Sequence, residues 1–378
     1  YLNYPALVVV GESPYNSVYL NNVVEVRSGA NHNVALIKEQ NENHTQYDVP
    51  EDKAFTSKNG YVFAWGDNSE GQFGKTTANS NSYAPVRVDI PDDEVINHIS
   101  AEKNSNLATT ADNTVWAWGN HADGQMGANG TSSAPVQIVS NDGGVWSSSN
   151  GIKGALNGAA GGDSMSAYIS DGTVWTWGNT YDGSTSSMVN RTSPVRVVKN
   201  VGKDSTIYLE NIKHIAAGPT HMLAVDTDGQ VWALGNNANG KLGIGGTSTA
   251  YTPTLVKTSS TEILSGVERV AAGARNSAAL AQDGVVYVWG DNTYGQRGIE
   301  AKNSKYSQYA SFTVKGASAG DNADGALNDF IDITIGDTFI SALRRDGNVF
   351  SWGSGSYGQI GKGFFTAVSY THLTLPTN

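Results

Sequence analysis

The chain has 378 residues, 24 of them basic and 35 acidic, for a net charge of −11. That length suits about two average domains or one large β domain, and the absence of cysteine excludes disulfides and thiolate metal sites. No basic run exceeds Arg344-Arg345 and no apolar run approaches the ~20 residues that span a bilayer, so neither a nucleic-acid partner nor membrane insertion is expected.

Charged residues make up only 16% of the chain, against 44 glycines and nine tryptophans. Disordered chains show the opposite balance, so the composition predicts a folded protein with many tight turns around aromatic packing.

In chain order, Tyr1 to Val8 reads as a strand anchored by Pro5. Asn33-Val34-Ala35-Leu36 is a second short strand, and Lys38 to Lys58 is a charged insertion ahead of the turn Asn59-Gly60. Then comes Val62-Phe63-Ala64-Trp65-Gly66, which alternates large rings with small residues. Period two predicts a strand, and two chemically distinct faces predict that both are covered.

The pentapeptide returns as Val115 to Gly119, Val174 to Gly178, Val231 to Gly235, Val286 to Gly290 and Val349 to Gly353. Its closing glycines are spaced by 53, 59, 57, 55 and 63 residues, and every tryptophan except Trp146 falls inside it. Four copies follow Asp-Gly (Asp171-Gly172, Asp228-Gly229, Asp283-Gly284, Asp346-Gly347), a pair suited to type I′ hairpins. Strands such as His221 to Val225 and Ser277 to Leu280 precede those turns, with further short segments (Ile212 to Gly218, Val267 to Gly273) before them. Pro-anchored strands follow at Pro85, Pro135, Pro194 and Pro253, where an edge position tolerates the missing N–H. Four antiparallel strands per 50- to 60-residue unit describe an all-β propeller blade.

These units resemble the regulator of chromosome condensation family, with its Gly-x-x-His segment, Asp-Gly turn, Val-Trp-x-Trp-Gly and Gly-Gln-x-Gly. The resemblance covers residues 1 to about 363. It implies four-stranded blades, of which six repeats are visible, and seven blades in the intact protein. The family histidine is present at His32 and His221 but replaced by Ser105, Ser164, Asn276 and Phe339, while Ser184 and Ser186 disrupt the third Gly-Gln-x-Gly.

The expected division is a propeller over 1–366, truncated at one or both ends, and a tail over 367–378. Val368 to Leu373 resembles a translated sequencing adapter and is expected to be non-native.

Several strings imitate chemistry. Gly235 to Lys241 begins like a P-loop, but Leu242 stands where a Mg²⁺-binding Ser or Thr belongs and no helix pattern follows. Gly353 to Gly358 fits GxGxxG, yet it follows a blade strand rather than opening a βαβ unit. Asn43, Asn129 and Asn190 head glycosylation-type triplets of little weight in so Asn- and Thr-rich a chain. The seven histidines are scattered, and no carboxylate pair or nucleophile motif stands out. Catalytic, cofactor and metal sites are therefore not expected.

Function is expected where the repeat is broken. The segments are Lys38 to Lys58, Ser140 to Leu156 with its unslotted Trp146, and Lys315 to Asp329. Tyr181, Tyr294 and Tyr357 occupy the turn tips after Trp-Gly, and with Trp146 they are the candidate partner-binding residues. The leading expectation is a non-enzymatic scaffold binding a protein or envelope partner at a bacterial surface or outside the cell. The resemblance also implies guanine-nucleotide exchange on a small GTPase, which would favour a cytoplasmic location, or inhibition of a secreted hydrolase.

Overall fold

A computed structural model describes residues 20, 22–38, 60–75, 81–127, 133–138, 155–169, 171–201, 206–298, 305–312, 328–356, 359–360 and 366–369. They form antiparallel sheets, each a simple meander of sequential strands. The first sheet is β1 (Val23–Ser28), β2 (His32–Ile37), β3 (Tyr61–Gly66) and β4 (Ser82–Arg87). The second is β5 (Ile96–Glu102), β6 (Ser105–Thr110), β7 (Val115–Gly119) and β8 (Val136–Gln137). The third is β9 (Ala155–Ala160), β10 (Ser164–Ile169), β11 (Val174–Thr180) and β12 (Val189–Arg196), followed by a ribbon of β13 (Val198–Val201) and β14 (Thr206–Tyr208).

The fourth comprises β15 (Ile212–Gly218), β16 (His221–Asp226), β17 (Val231–Gly235) and β18 (Ala250–Leu255). The fifth comprises β19 (Val267–Ala272), β20 (Asn276–Ala281), β21 (Val286–Asp291) and β22 (Tyr306–Phe312). The sixth comprises β23 (Phe330–Ile335), β24 (Phe339–Arg344), β25 (Val349–Gly355) and β26 (Thr366–Ser369). The last strand crosses the expected boundary at residue 367, and its ladder consists of Gly353↔Ser369 and Gly355↔Thr366.

Sheet packs on sheet through the two-faced strands. Val34, Leu36, Val62 and Ala64 of the first sheet bury Ile96, Ile99, Ala108 and Trp118 of the second. The same contact recurs between the fifth and sixth, where Ala278, Leu280, Val286 and Val288 cover Phe330, Ile333, Ala342 and Trp352. Large rings thus nest against small and branched residues of the preceding sheet, as the alternation predicts.

The Asp-Gly turns form hairpins of a different type from the one expected. Asp226 N–H donates to Gln230 O and Gly229 N–H to Asp226 O, leaving a three-residue loop in which only Gly229 takes positive φ, at 77°. A type I′ turn needs two such residues. A type I turn closed by a left-handed glycine needs one, and Asp228 then keeps ordinary backbone angles.

The expectation of six equivalent repeats within seven blades is corrected. Five sheets are full blades with outer strands of four to eight residues. In the second sheet the outer strand is reduced to Val136–Gln137, paired only with Trp116 and Ala117. Among the described residues there is no further four-stranded sheet. The reason is that the repeated pentapeptide marks third strands; it reports neither how much outer strand each sheet completes nor a blade without a copy.

Candidate protein-interaction site

Each blade has two ends. The β1–β2 turn and the loop after Trp-Gly share one end, since Asp67 N–H donates to Asn31 O. The Asp-Gly hairpins occupy the other.

The loop end is rigid for reasons visible in its hydrogen bonds. Asn68 Oδ1 accepts from Phe73 N–H at 2.8 Å, and Gln72 Oε1 accepts from Glu70 N–H at 2.9 Å. The Gln72 carbonyl then accepts from Trp118 Nε1 of the next blade at 3.0 Å. Trp177 donates likewise to Gln125 O, Trp289 to Lys241 O and Trp352 to Gln296 O, at 2.7–2.8 Å. The recurring Gln loop and Trp are therefore two halves of one inter-blade clasp.

The family histidines belong to the same frame. A Cβ on Gly29 would lie 2.2 Å from His32 Cε1, and one on Gly336 equally close to Phe339 Cε1, so the glycine makes room for a ring folded over its own turn. His32 Nε2 bonds Asn106 Oδ1 at 2.7 Å, and His221 Nε2 bonds Ser277 Oγ at 2.9 Å, each reaching the next blade. Burial drives both imidazoles below their ordinary range; for His221, with Lys241 adding to the effect, the value falls to about 3. These are neutral structural rings.

The loop end also carries Glu102 and Lys103 at the β5–β6 turn, Asp163 at the β9–β10 turn, and Lys241 in the loop after Gly235. Glu102 occupies the register position that is glycine in the other five sheets (Gly29, Gly161, Gly218, Gly273, Gly336). Burial and then Asp337 push its carboxyl up to about 8, against the opposing pull of Lys103. Lys103 pairs with Asp163 at 3.2 Å. Among the described residues no three His, Asp or Glu side chains converge to hold a metal.

Lys241 replaces the clasp glutamine. Its Nζ donates to Thr220 Oγ1 at 2.6 Å and to Ala274 O at 3.2 Å, much as Gln125 Nε2 donates to Gly162 O at 3.3 Å. It has no oxygen to close the loop, and burial lowers its ammonium to about 8. A lysine titrating below its unfolded value of 10.5 makes stability rise as pH climbs from about 8 to 10.5. Lys241→Gln should remove that slope and raise stability at pH 7 by on the order of 1 kcal/mol, checked by urea unfolding at pH 7 and 10.

Of the expected contact residues, Tyr181 and Tyr294 lie on the loop end and are half-buried. The Tyr181 ring leans on Tyr251 at 6.0 Å and 53°, and burial followed by Tyr251 raises its phenol above the ordinary range. Trp146 and Tyr357 lie outside the described residues, as do most of the three insertions. The flanks of the Trp146 segment are anchored at the hairpin end, where Ile138 N–H meets Val115 O and Ala155 N–H meets Asn113 O.

More exposed rings were overlooked. Tyr83 is 102% exposed, Tyr306 42% and Tyr251 39%. All begin outer strands opposite loop-end residues, because Ser82 pairs with Gly66, Ala250 with Gly235 and Tyr306 with Asp291. A signal was present in the sequence: Tyr83-Ala84-Pro85 and Tyr251-Thr252-Pro253 place tyrosine at one offset before the anchoring proline.

The model of the RCC1-like domain matches residues 51–377. The chain belongs to the RCC1-like domain family. It is 26% identical to the ultraviolet-B receptor UVR8 of Arabidopsis thaliana over 315 residues, covering 70% of this chain and 66% of the receptor. The RCC1-like chain thus spans just under two thirds of that relative's length. In structure it is similar to human WBSCR16, with a TM-score of 0.73 at 20% identity over 98% of this chain and 90% of the other. It is also similar to Prp20p of Saccharomyces cerevisiae, described with its binding to Gsp1p and histones, at 0.66 and 18% over 94% and 77%. Those two likenesses concern the fold.

Proposed function

We propose that this RCC1-like propeller is a non-enzymatic scaffold that binds a protein partner through its loop end. The observation that carries this is the set of exposed tyrosines, Tyr83, Tyr251 and Tyr306, at the rims of loops whose backbone carbonyls (Gln72, Lys241 and Gln296) are each held by a tryptophan of the next blade. A ring on a rigid support loses little conformational freedom when it is covered, which is what an interface anchor requires. The binding of Prp20p to Gsp1p and histones supports protein partners as the class. A bacterial surface or extracellular location belongs to the same proposal and is supported by composition.

The test is capture of partners with wild type and with Tyr83→Ala/Tyr251→Ala. The double variant should weaken binding by about 30-fold or more while leaving the unfolding midpoint in place. Undiminished binding would move the site off this end. Nucleotide exchange on a small GTPase is the alternative activity; accelerated nucleotide release from a GTPase panel would favour it over a passive scaffold.

A further inference from the structure

The innermost strands β1, β5, β9, β15, β19 and β23 stand side by side around the axis. Each is interrupted by a bulge at the same register, so Glu25, His98, Asn157, His214, Arg269 and Asp332 take one equivalent position. A bulge frees one residue from the ladder and re-aims its neighbours; in β15 the freed residue is Lys213. The ring lies near the hairpin end, since Ile212 N–H donates to Gly172 O and Val267 N–H to Gly229 O just ahead of it.

Two of these side chains are fixed by the backbone of the next inner strand. Glu25 Oε2 accepts from Ile99 N–H at 2.9 Å, and His214 Nδ1 accepts from Val270 N–H at 3.4 Å. Because Nδ1 of His214 accepts, the ring proton sits on Nε2, which is left as a donor. The charges around that imidazole are one-sided. Arg269, His98, Arg27 and Lys213 all act on it, and neither His214 nor Lys213 has a carboxylate within ion-pair distance among the described residues. Burial, then those charges, hold the imidazole at about 3, so it is neutral at pH 7. The nearby acids do not compensate. Glu25 is already engaged by His98 at 2.7 Å, Arg27 at 2.6 Å and Ile99 N–H. Asp332 stands 3.8 Å from Arg269 Nη1, beyond hydrogen-bond reach, and Glu268 is an exposed bulge residue.

We propose that this cluster is a binding site for a small oxyanion, held by Lys213, Arg269 and the Nε2–H of His214 at the hairpin end of the axis. An oxyanion brings several acceptor oxygens to groups that can only donate, and it offsets the repulsion among like charges. Phosphate, sulfate and carboxylate share that chemistry. Every group named belongs to a described inner strand, and the site lies at the opposite end from the tyrosine-bearing loops, so it stands apart from the scaffold reading.

Calorimetric titration of the full 378-residue chain with inorganic phosphate at pH 7 and fixed ionic strength tests this. The titration is carried to about 10 mM, where a site of about 1 mM affinity is mostly filled. The expected result is saturable binding at one site, with the Cε1–H resonance of His214 moving in step. Lys213→Gln and Arg269→Gln, at half-buried and exposed positions, should each weaken binding about tenfold or more. Arg345→Gln, at the exposed hairpin tip of the sixth blade, should leave it unchanged. Sulfate and acetate titrated in the same way assign the site to a phosphoryl-type or a carboxylate ligand, whichever binds tighter. Absence of saturable binding overturns the proposal, as does binding that survives both substitutions or a His214 resonance that stays in place with phosphate bound.

Discussion

Trp289→Ala should cost on the order of 4 kcal/mol, while the same substitution at Trp65 should cost about 1 kcal/mol or less. Both residues stand fourth in the same pentapeptide. Trp289 is fully buried, its indole donates to Lys241 O at 2.8 Å, and it is packed against Val256, Leu242 and Gly243. Removing it leaves a cavity and strands a carbonyl, and both add to the lost transfer energy. Trp65 is half-buried and makes no such bond among the described residues, so truncation removes less buried contact than at Trp289. Urea midpoints at a concentration where the chain is monomeric would measure the pair. Equal losses would mean that the first blade is as well covered as the fifth.

Acid should destabilise the propeller as pH falls from 7 to 5, through its buried histidines. Burial, reinforced by the charges of Arg269, His98, Arg27 and Lys213, lowers His214 to about 3, matching His221. A histidine whose folded value lies below its unfolded 6.5 contributes stability that is whole above 6.5 and lost as pH falls toward 3. Between pH 7 and pH 5 the loss is about 2 kcal/mol for each ring. His221→Phe should recover roughly half of that slope. The sixth blade already carries Phe339 over Gly336 at this position, and Ser277 Oγ keeps its bond to Lys241 O at 2.7 Å. Comparing urea unfolding at the two pH values decides the matter: an unchanged slope in the variant would place the acid sensitivity elsewhere.

The strand alternation, the hairpin glycines and the recurring pentapeptide made the propeller legible from the residues alone. Each depends on near neighbours, because period two and a positive φ are properties of a few consecutive positions. The partner of each indole was not legible. Trp118 finds Gln72 and Trp352 finds Gln296 across blade boundaries, at separations of 46 and 56 residues. The exposed tyrosines were missed for a related reason. Tyr83 and Tyr251 lie two residues ahead of the strands read from Pro85 and Pro253; the observed strands begin earlier, at Ser82 and Ala250, and their outer-edge position leaves the rings uncovered.

The sequence by itself determined the propeller architecture, since a unit repeated six times can bury two-faced strands only by stacking copies. It also determined that His32 and His221 would sit alike. Tertiary structure alone decided how many blades are full and which copies of a repeated residue are covered. Val26 and Ile99 are the same kind of residue in the same register, one half exposed and the other wholly buried. Burial is set by what packs on the far side of the sheet, and nothing within a single repeat encodes its neighbour.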